Sequence, residues 1–433
     1  MRKIAWIIAA ALGLSLAGCG GGGGSGSGTN SSTTLNAPVG ASSPAPASGT
    51  NTSAPNVLAT DASAVPTPVG PGNTIAVTVT GTSIHNQPMV SVTICPPGSS
   101  ATTNCAIIPN VIVDTESFGL RLVSSAIPAP TFSALTPETA SGLPLAECAL
   151  FGSGYAWGTV HYANVAISGE TATNVPIHVI GDTTLTTPAP TECQVGRQLV
   201  TTTDLGANGI LGIGVSPTDC GTACVNGAVS TFYYTNAGTG TAVPLNGQIT
   251  NPVSLFGQDS NGVILEMAQV SDTGSATAQG TLVFGIDTQA NNMLYGTGAT
   301  LMRTNGNGDF TSTYNGTTQT KTFFDSGSTV MFFPDLSIPV SSTSGYYIPT
   351  TTVGRSSTLV GAIPTSVSLG FNIANGATLN ASGNNAFNNL GIYMTRQFDF
   401  GMPFFYGRHV YYGISGKAST GGGTGPYVAY VSS

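Results

Sequence analysis

The hydrophobic pattern divides the chain into three regions. An apolar run from Ile4 to Leu16, preceded by Arg2 and Lys3, is too short to span a bilayer and has the charged start of an export signal. From residue 20 to about 72 the apolar pattern disappears. Gly, Ser, Thr, Pro and Ala dominate, with Asp61 as the only charge, and such a stretch buries too little apolar area to offset the entropy of ordering. Beyond residue 72 short apolar runs such as Val111-Ile112-Val113, Ile210-Leu211-Gly212-Ile213 and Thr281-Leu282-Val283-Phe284 alternate with Gly-, Asn- and Ser-rich turns. That rhythm predicts many short strands and an all-β fold.

Composition sharpens this reading. Only 6% of the chain is charged and Gly numbers 58, which disfavours long surface helices and favours strands joined by turns. Residues 73–433 are too many for one small core and suit two lobes, placed at 73–285 and 286–433. The formal charge of −8 becomes −10 once Arg2 and Lys3 are removed with a signal, and no basic stripe exists, so nucleic acid is excluded as a partner.

The export signal at 1–18 closes on Leu16-Ala17-Gly18-Cys19, which resembles a bacterial lipobox. That resemblance implies a lipid on Cys19, a mature chain starting there, and residues 19–72 acting as a tether. Gly20 after the cysteine implies sorting to the outer membrane. About 50 flexible residues span roughly 40 Å, enough to hold a domain clear of the headgroups. The other six cysteines, Cys95, Cys105, Cys148, Cys193, Cys220 and Cys224, are an even number in an oxidising compartment. Fifteen pairings exist; short loops suggest Cys95 with Cys105 and Cys220 with Cys224, leaving Cys148 for Cys193. The four histidines show no clustering of the HExxH type, and no metal or other cofactor is expected.

With eighteen acidic residues thinly scattered, local setting must single out the chemistry. Val111-Ile112-Val113-Asp114-Thr115-Glu116-Ser117 and Phe323-Phe324-Asp325-Ser326-Gly327-Ser328 each place an aspartate after an apolar strand and before a hydroxyl-bearing turn, 211 positions apart. Hydroxyls and backbone amides in such a turn can hold a carboxylate. Taken singly, each aspartate reads as an Asx turn ending a strand.

These two segments resemble the catalytic segments of the pepsin-like aspartic peptidases. Others agree in order: Phe151 to Gly158 resembles the flap hairpin, Asn208 to Gly214 the strand behind the first aspartate, Gly280 to Asp287 the strand opening the inter-lobe crossover, and Phe400 to Arg408 the segment backing the second aspartate. The ending around GGTGPYVAY is similar to a family of exported proteobacterial proteins with a domain of unknown function. The resemblance implies a bilobal fold with Asp114 and Asp325 sharing a proton across a cleft, where peptide or protein would bind. It further implies that Thr115 and Ser326 cross-bond the two turns, that Ser117 and Ser328 bond the outer carboxylate oxygens, and that Gly327 gives close backbone approach. Phe151, Tyr155 and Trp157 fall on the flap, and Phe151 stands where the family has tyrosine.

The chain departs from the pattern at Glu116, which replaces the first triplet's glycine, and at Arg121, which replaces a tryptophan. Glu116 either crowds the pair and blocks a peptide, or turns outward to Arg121. Three functions compete: an aspartic endopeptidase of the cell envelope, an inactive relative that binds in the same cleft, and a surface adhesin. No GxSxG elbow supports a serine hydrolase.

Overall fold

The computed structural model describes residue 58 and residues 61–433, apart from 71, 82–83, 99–102, 228 and 230–231. The export signal, Cys19 and most of the tether lie outside the described residues. Among those described, strands dominate and the longest helices, Thr222–Asn226 and Gly376–Asn380, have only 5 residues. None is long and apolar enough to cross a membrane.

Two strand systems flank a shared sheet. In the first lobe, strand Ala106–Asp114 is paired in parallel with Gly209–Ile213, which also pairs antiparallel with Phe118–Val123. The chain thus leaves the aspartate, turns, and makes room for a later strand between the two arms of that turn. The second lobe repeats the device: Phe398–Asp399 lies parallel to Thr317–Phe323 and antiparallel to Met331–Phe333.

Between the lobes runs an antiparallel sheet of Thr74–Val79, Ala278–Phe284, Gly262–Met267, Arg408–Gly413, Tyr427–Val431 and Thr300–Arg303, in that order. Strands of both halves are neighbours in it, so a boundary at 285 marks chain order rather than two separable bodies. One large apolar cluster runs from Val111, Val113 and Leu211 through Leu265 and Phe284 to Phe324, Phe400 and Tyr412. Its aromatic centre is in the second lobe, where Phe324 stacks on Phe404 at 3.9 Å between ring centroids and meets Phe400 edge-on.

All six described cysteines are joined, as Cys95–Cys105, Cys148–Cys193 and Cys220–Cys224. The middle bridge ties the long hairpin of Leu143–Phe151 and Gly154–Ile167 to the segment beside it, where Arg197–Gln198 pairs with Gly154 and Tyr155.

Candidate active site

Asp114 ends its strand and Asp325 lies two residues beyond the end of Thr317–Phe323, both at full burial, and the turn after each supplies donors. Asp114 Oδ1 accepts the amides of Glu116 and Ser117 at 2.9 and 3.1 Å, and Oδ2 accepts the Ser117 hydroxyl at 2.6 Å. Asp325 Oδ1 accepts the Gly327 amide at 2.7 Å and Oδ2 the Ser328 hydroxyl at 2.8 Å. Thr115 and Ser326 lock the turns to each other. The Thr115 hydroxyl donates to Phe324 O at 3.2 Å and accepts the Ser326 amide at 2.9 Å, while the Ser326 hydroxyl donates to Val113 O at 2.7 Å. The two turns are thereby fixed to each other, and the carboxyls they hold are close enough for the charge of Asp114 to raise the proton affinity of Asp325.

Gly327 is there for space. A methyl on its α-carbon would stand 2.8 Å from Asp114 Cγ, closer than real contacts allow. The equivalent position in the first turn, Glu116, keeps its side chain because it leaves the pair: its carboxylate rests against Gly308, in the second-lobe turn between Thr300–Arg303 and Phe310–Tyr314. Gly308 has φ +95°, and any side chain there would collide with that carboxylate.

Burial sets the electrostatics. Desolvation raises the proton affinity of Asp114, against the pull of its hydrogen bonds. Asp325 is pushed well above the usual carboxylate range by desolvation, then by the charges of Asp114 and Asp399. Two neighbouring carboxylates that cannot both ionise cheaply share a proton, which is the arrangement for general acid and base work on one water. Among the described residues no cluster of three or more His, Cys, Asp and Glu is placed to hold a metal.

The expected partner of Glu116 is engaged elsewhere. Arg121, 4% exposed, pairs with Glu147 at 2.7 Å and Asp219 at 3.3 Å and donates to Phe118 O at 2.6 Å. Glu147 also faces His178 Nδ1 at 2.9 Å, and the Tyr233 hydroxyl donates to Asp219 at 2.5 Å. A buried guanidinium needs compensating charge, and Glu147 and Asp219 supply it to Arg121.

The hairpin aromatics are committed to packing. Phe151 fills a cluster with Met89, Ile112, Leu199 and Ile210. Tyr155 and Trp157 pack with Tyr234 around Cys148 and Cys193, and Trp157 Nε1 donates to Thr187 O at 2.9 Å.

Sequence reasoning missed two contributors. Asn86 spans the lobes, donating to Thr329 O at 2.8 Å and accepting from the Phe387 amide and the Tyr406 hydroxyl. Asp399 sits directly behind the pair with no exposure, one residue upstream of the motif that resembles the family. Its signal was a lone acid in the aromatic run Phe398-Asp399-Phe400.

The family described as "Protein of unknown function (DUF3443)" matches residues 70–430, which covers both lobes and the shared sheet. No curated protein matches in sequence. Among solved structures, an aspartic proteinase from Irpex lacteus is similar over 84% of this chain and 98% of that one, at 13% identity and a TM-score of 0.49.

Proposed function

The chain belongs to the DUF3443 family of proteins of unknown function, and from that premise we propose that it is an aspartic endopeptidase of the bacterial cell envelope, held to the outer membrane by a lipid on Cys19. The observation that carries the reading is the pair of fully buried aspartates whose turns are cross-bonded through Thr115 and Ser326. In the reaction, Asp114 as the ionised member takes a proton from a water that attacks the scissile carbonyl. Asp325, the member with the higher proton affinity, donates its proton to the developing oxyanion. Ser117 and Ser328 hold the outer oxygens so that the inner ones face the water.

A second reading, a binding protein derived from such an enzyme, is favoured by Glu116, whose bulk narrows the approach that glycine would leave open. Incubation of unfolded protein substrate with the purified chain between acidic and neutral pH separates the two. Cleavage that pepstatin blocks and that disappears in Asp325→Asn supports the peptidase; an inert wild type whose activity emerges in Glu116→Gly supports the binding protein. Membrane attachment lost or precursor left uncleaved in Cys19→Ser is expected, and unchanged lipid labelling of that variant would sink the anchor.

A further inference from the structure

The strand inserted beside each aspartate is the same device used twice, yet its inward residue differs. In the first lobe Ile210, two residues before Gly212, packs into an apolar cluster. In the second lobe the residue two before Gly401 is Asp399, and it faces the aspartate pair. Register aligns them: Ile210 pairs with Ile112, two residues before Asp114, and Asp399 pairs with Phe323, two residues before Asp325.

A carboxyl takes the place of an isobutyl-sized side chain in a fully buried position only under strong constraint. Asp399 Oδ1 accepts the Gly401 amide at 2.7 Å, and Oδ2 is sealed without a hydrogen-bond partner among the described residues. The Ser328 hydroxyl reaches Asp325 Oδ2. The titratable groups acting here come from three elements: Asp325 in its turn, Asp114 in the opposite turn, and Tyr412 on Arg408–Gly413, itself within the field of Glu116. All are acids, and among the described residues no cation acts on the group. An unpartnered oxygen among acids is tolerated if the carboxyl is neutral.

We propose that Asp399 is a third carboxyl of the site, a positioning residue that stays neutral behind Ser328 in the acid range and, once ionised, opposes loss of the last proton of the Asp114–Asp325 pair. Burial, then the charge of Asp114, push its proton affinity up to about 8, against hydrogen bonds from Ser328 and Gly401. Once Asp399 does ionise, its charge opposes loss of the pair's last proton, and the working range of the site extends upward in pH. The inference rests on the reading of the pair as a shared-proton site, but not on peptide cleavage.

Infrared difference spectroscopy of the exported protein counts protonated carboxyls whether or not it cuts anything. Wild type should lose a carboxylic-acid C=O band as pH is raised through about 8. That component should be absent from Asp399→Asn and retained in Asp325→Asn; a band unchanged by Asp399→Asn overturns the proposal. Melting gives a second readout. A carboxyl with raised affinity favours the folded state below its ordinary value of 3.8 and loses that contribution as pH climbs towards about 8. The fall in Tm over that window should therefore be shallower in Asp399→Asn, and an identical slope counts against the idea. If wild type cleaves, the basic limb of kcat/KM should move to lower pH by about one unit in Asp399→Asn, with the acid side retained. An inert wild type with the infrared band intact would sink the peptidase reading and leave this one standing.

Discussion

The two lobes solve one problem with different means. In the first, Asp114 is held by three donors from its own turn, and an isoleucine lies behind it. In the second, Asp325 has the Gly327 amide and the Ser328 hydroxyl on its carboxylate, and an acid lies behind it. Burial raises the proton affinity of both carboxyls, and at Asp325 the charges of Asp114 and Asp399 add to it. What distinguishes the members is both the donors each turn supplies and the side chain that backs it.

The charged part of the first lobe shows the opposite balance. Glu147 is held below the usual range, because Arg121 and His178 outweigh its burial, whereas nothing cationic compensates the aspartate pair. Stability from Glu147 is present above 4.5 and is lost as pH falls below it. Stability from the site carboxyls is greatest in acid and is lost as pH rises. The protein should thus show two pH-dependent terms of opposite sign, one from each region.

The largest expected effect is on chemistry. Asp114→Asn or Asp325→Asn should each lower cleavage by roughly 10³-fold or more, read as kcat on an unfolded substrate. Equal activity in either variant breaks the asymmetry argument together with the peptidase. Next comes the buried network: Arg121→Ala leaves Glu147 and Asp219 uncompensated and should cost about 3–5 kcal/mol, read by urea melts at neutral pH, with the deficit shrinking in acid. Exchanging the inward residues sharpens the comparison. Ile210→Asp puts an acid in an apolar cluster, and should cost about 2–5 kcal/mol, more than Asp399→Ile costs the second lobe. The mildest test is Gly308→Ala, expected to cost about 1–3 kcal/mol through its φ and through displacement of Glu116. Melting at the wild-type temperature would show that Glu116 is not fixed there.

Much of this was legible in the chain itself. The aspartate turns announce themselves because hydroxyls and small residues must surround a carboxylate held at a strand end, and that requirement is local. Two of the three disulfides, Cys95–Cys105 and Cys220–Cys224, close short loops, and the third joins the cysteines left over. Glu116 was not legible: its direction depends on Gly308, a turn residue of the other lobe whose nearness only the folded chain reveals. Arg121 was misjudged because Glu147 and Asp219 arrive from distant strands and loops. Asp399 is one acid in an aromatic run, and its meaning depends on the register that sets it against Phe323.

The shared sheet has a consequence for how the chain reaches its working form. Thr74–Val79 pairs with Ala278–Phe284, and Tyr427–Val431 is held between Arg408–Gly413 and Thr300–Arg303. Pairings so remote in sequence require large loops to close before any contact rewards them, which slows folding and exposes unpaired edges meanwhile. The Tyr412 hydroxyl, on one of these strands, donates to Phe324 O at 2.8 Å, immediately before Asp325. Synthesis of the second aspartate is therefore not enough to complete the pair, since the strands that brace it are the last to emerge. A C-terminally clipped chain would lack Tyr427–Val431, the strand that Arg408–Gly413 and Thr300–Arg303 pair with, and the turn of Asp325 would lose part of its support.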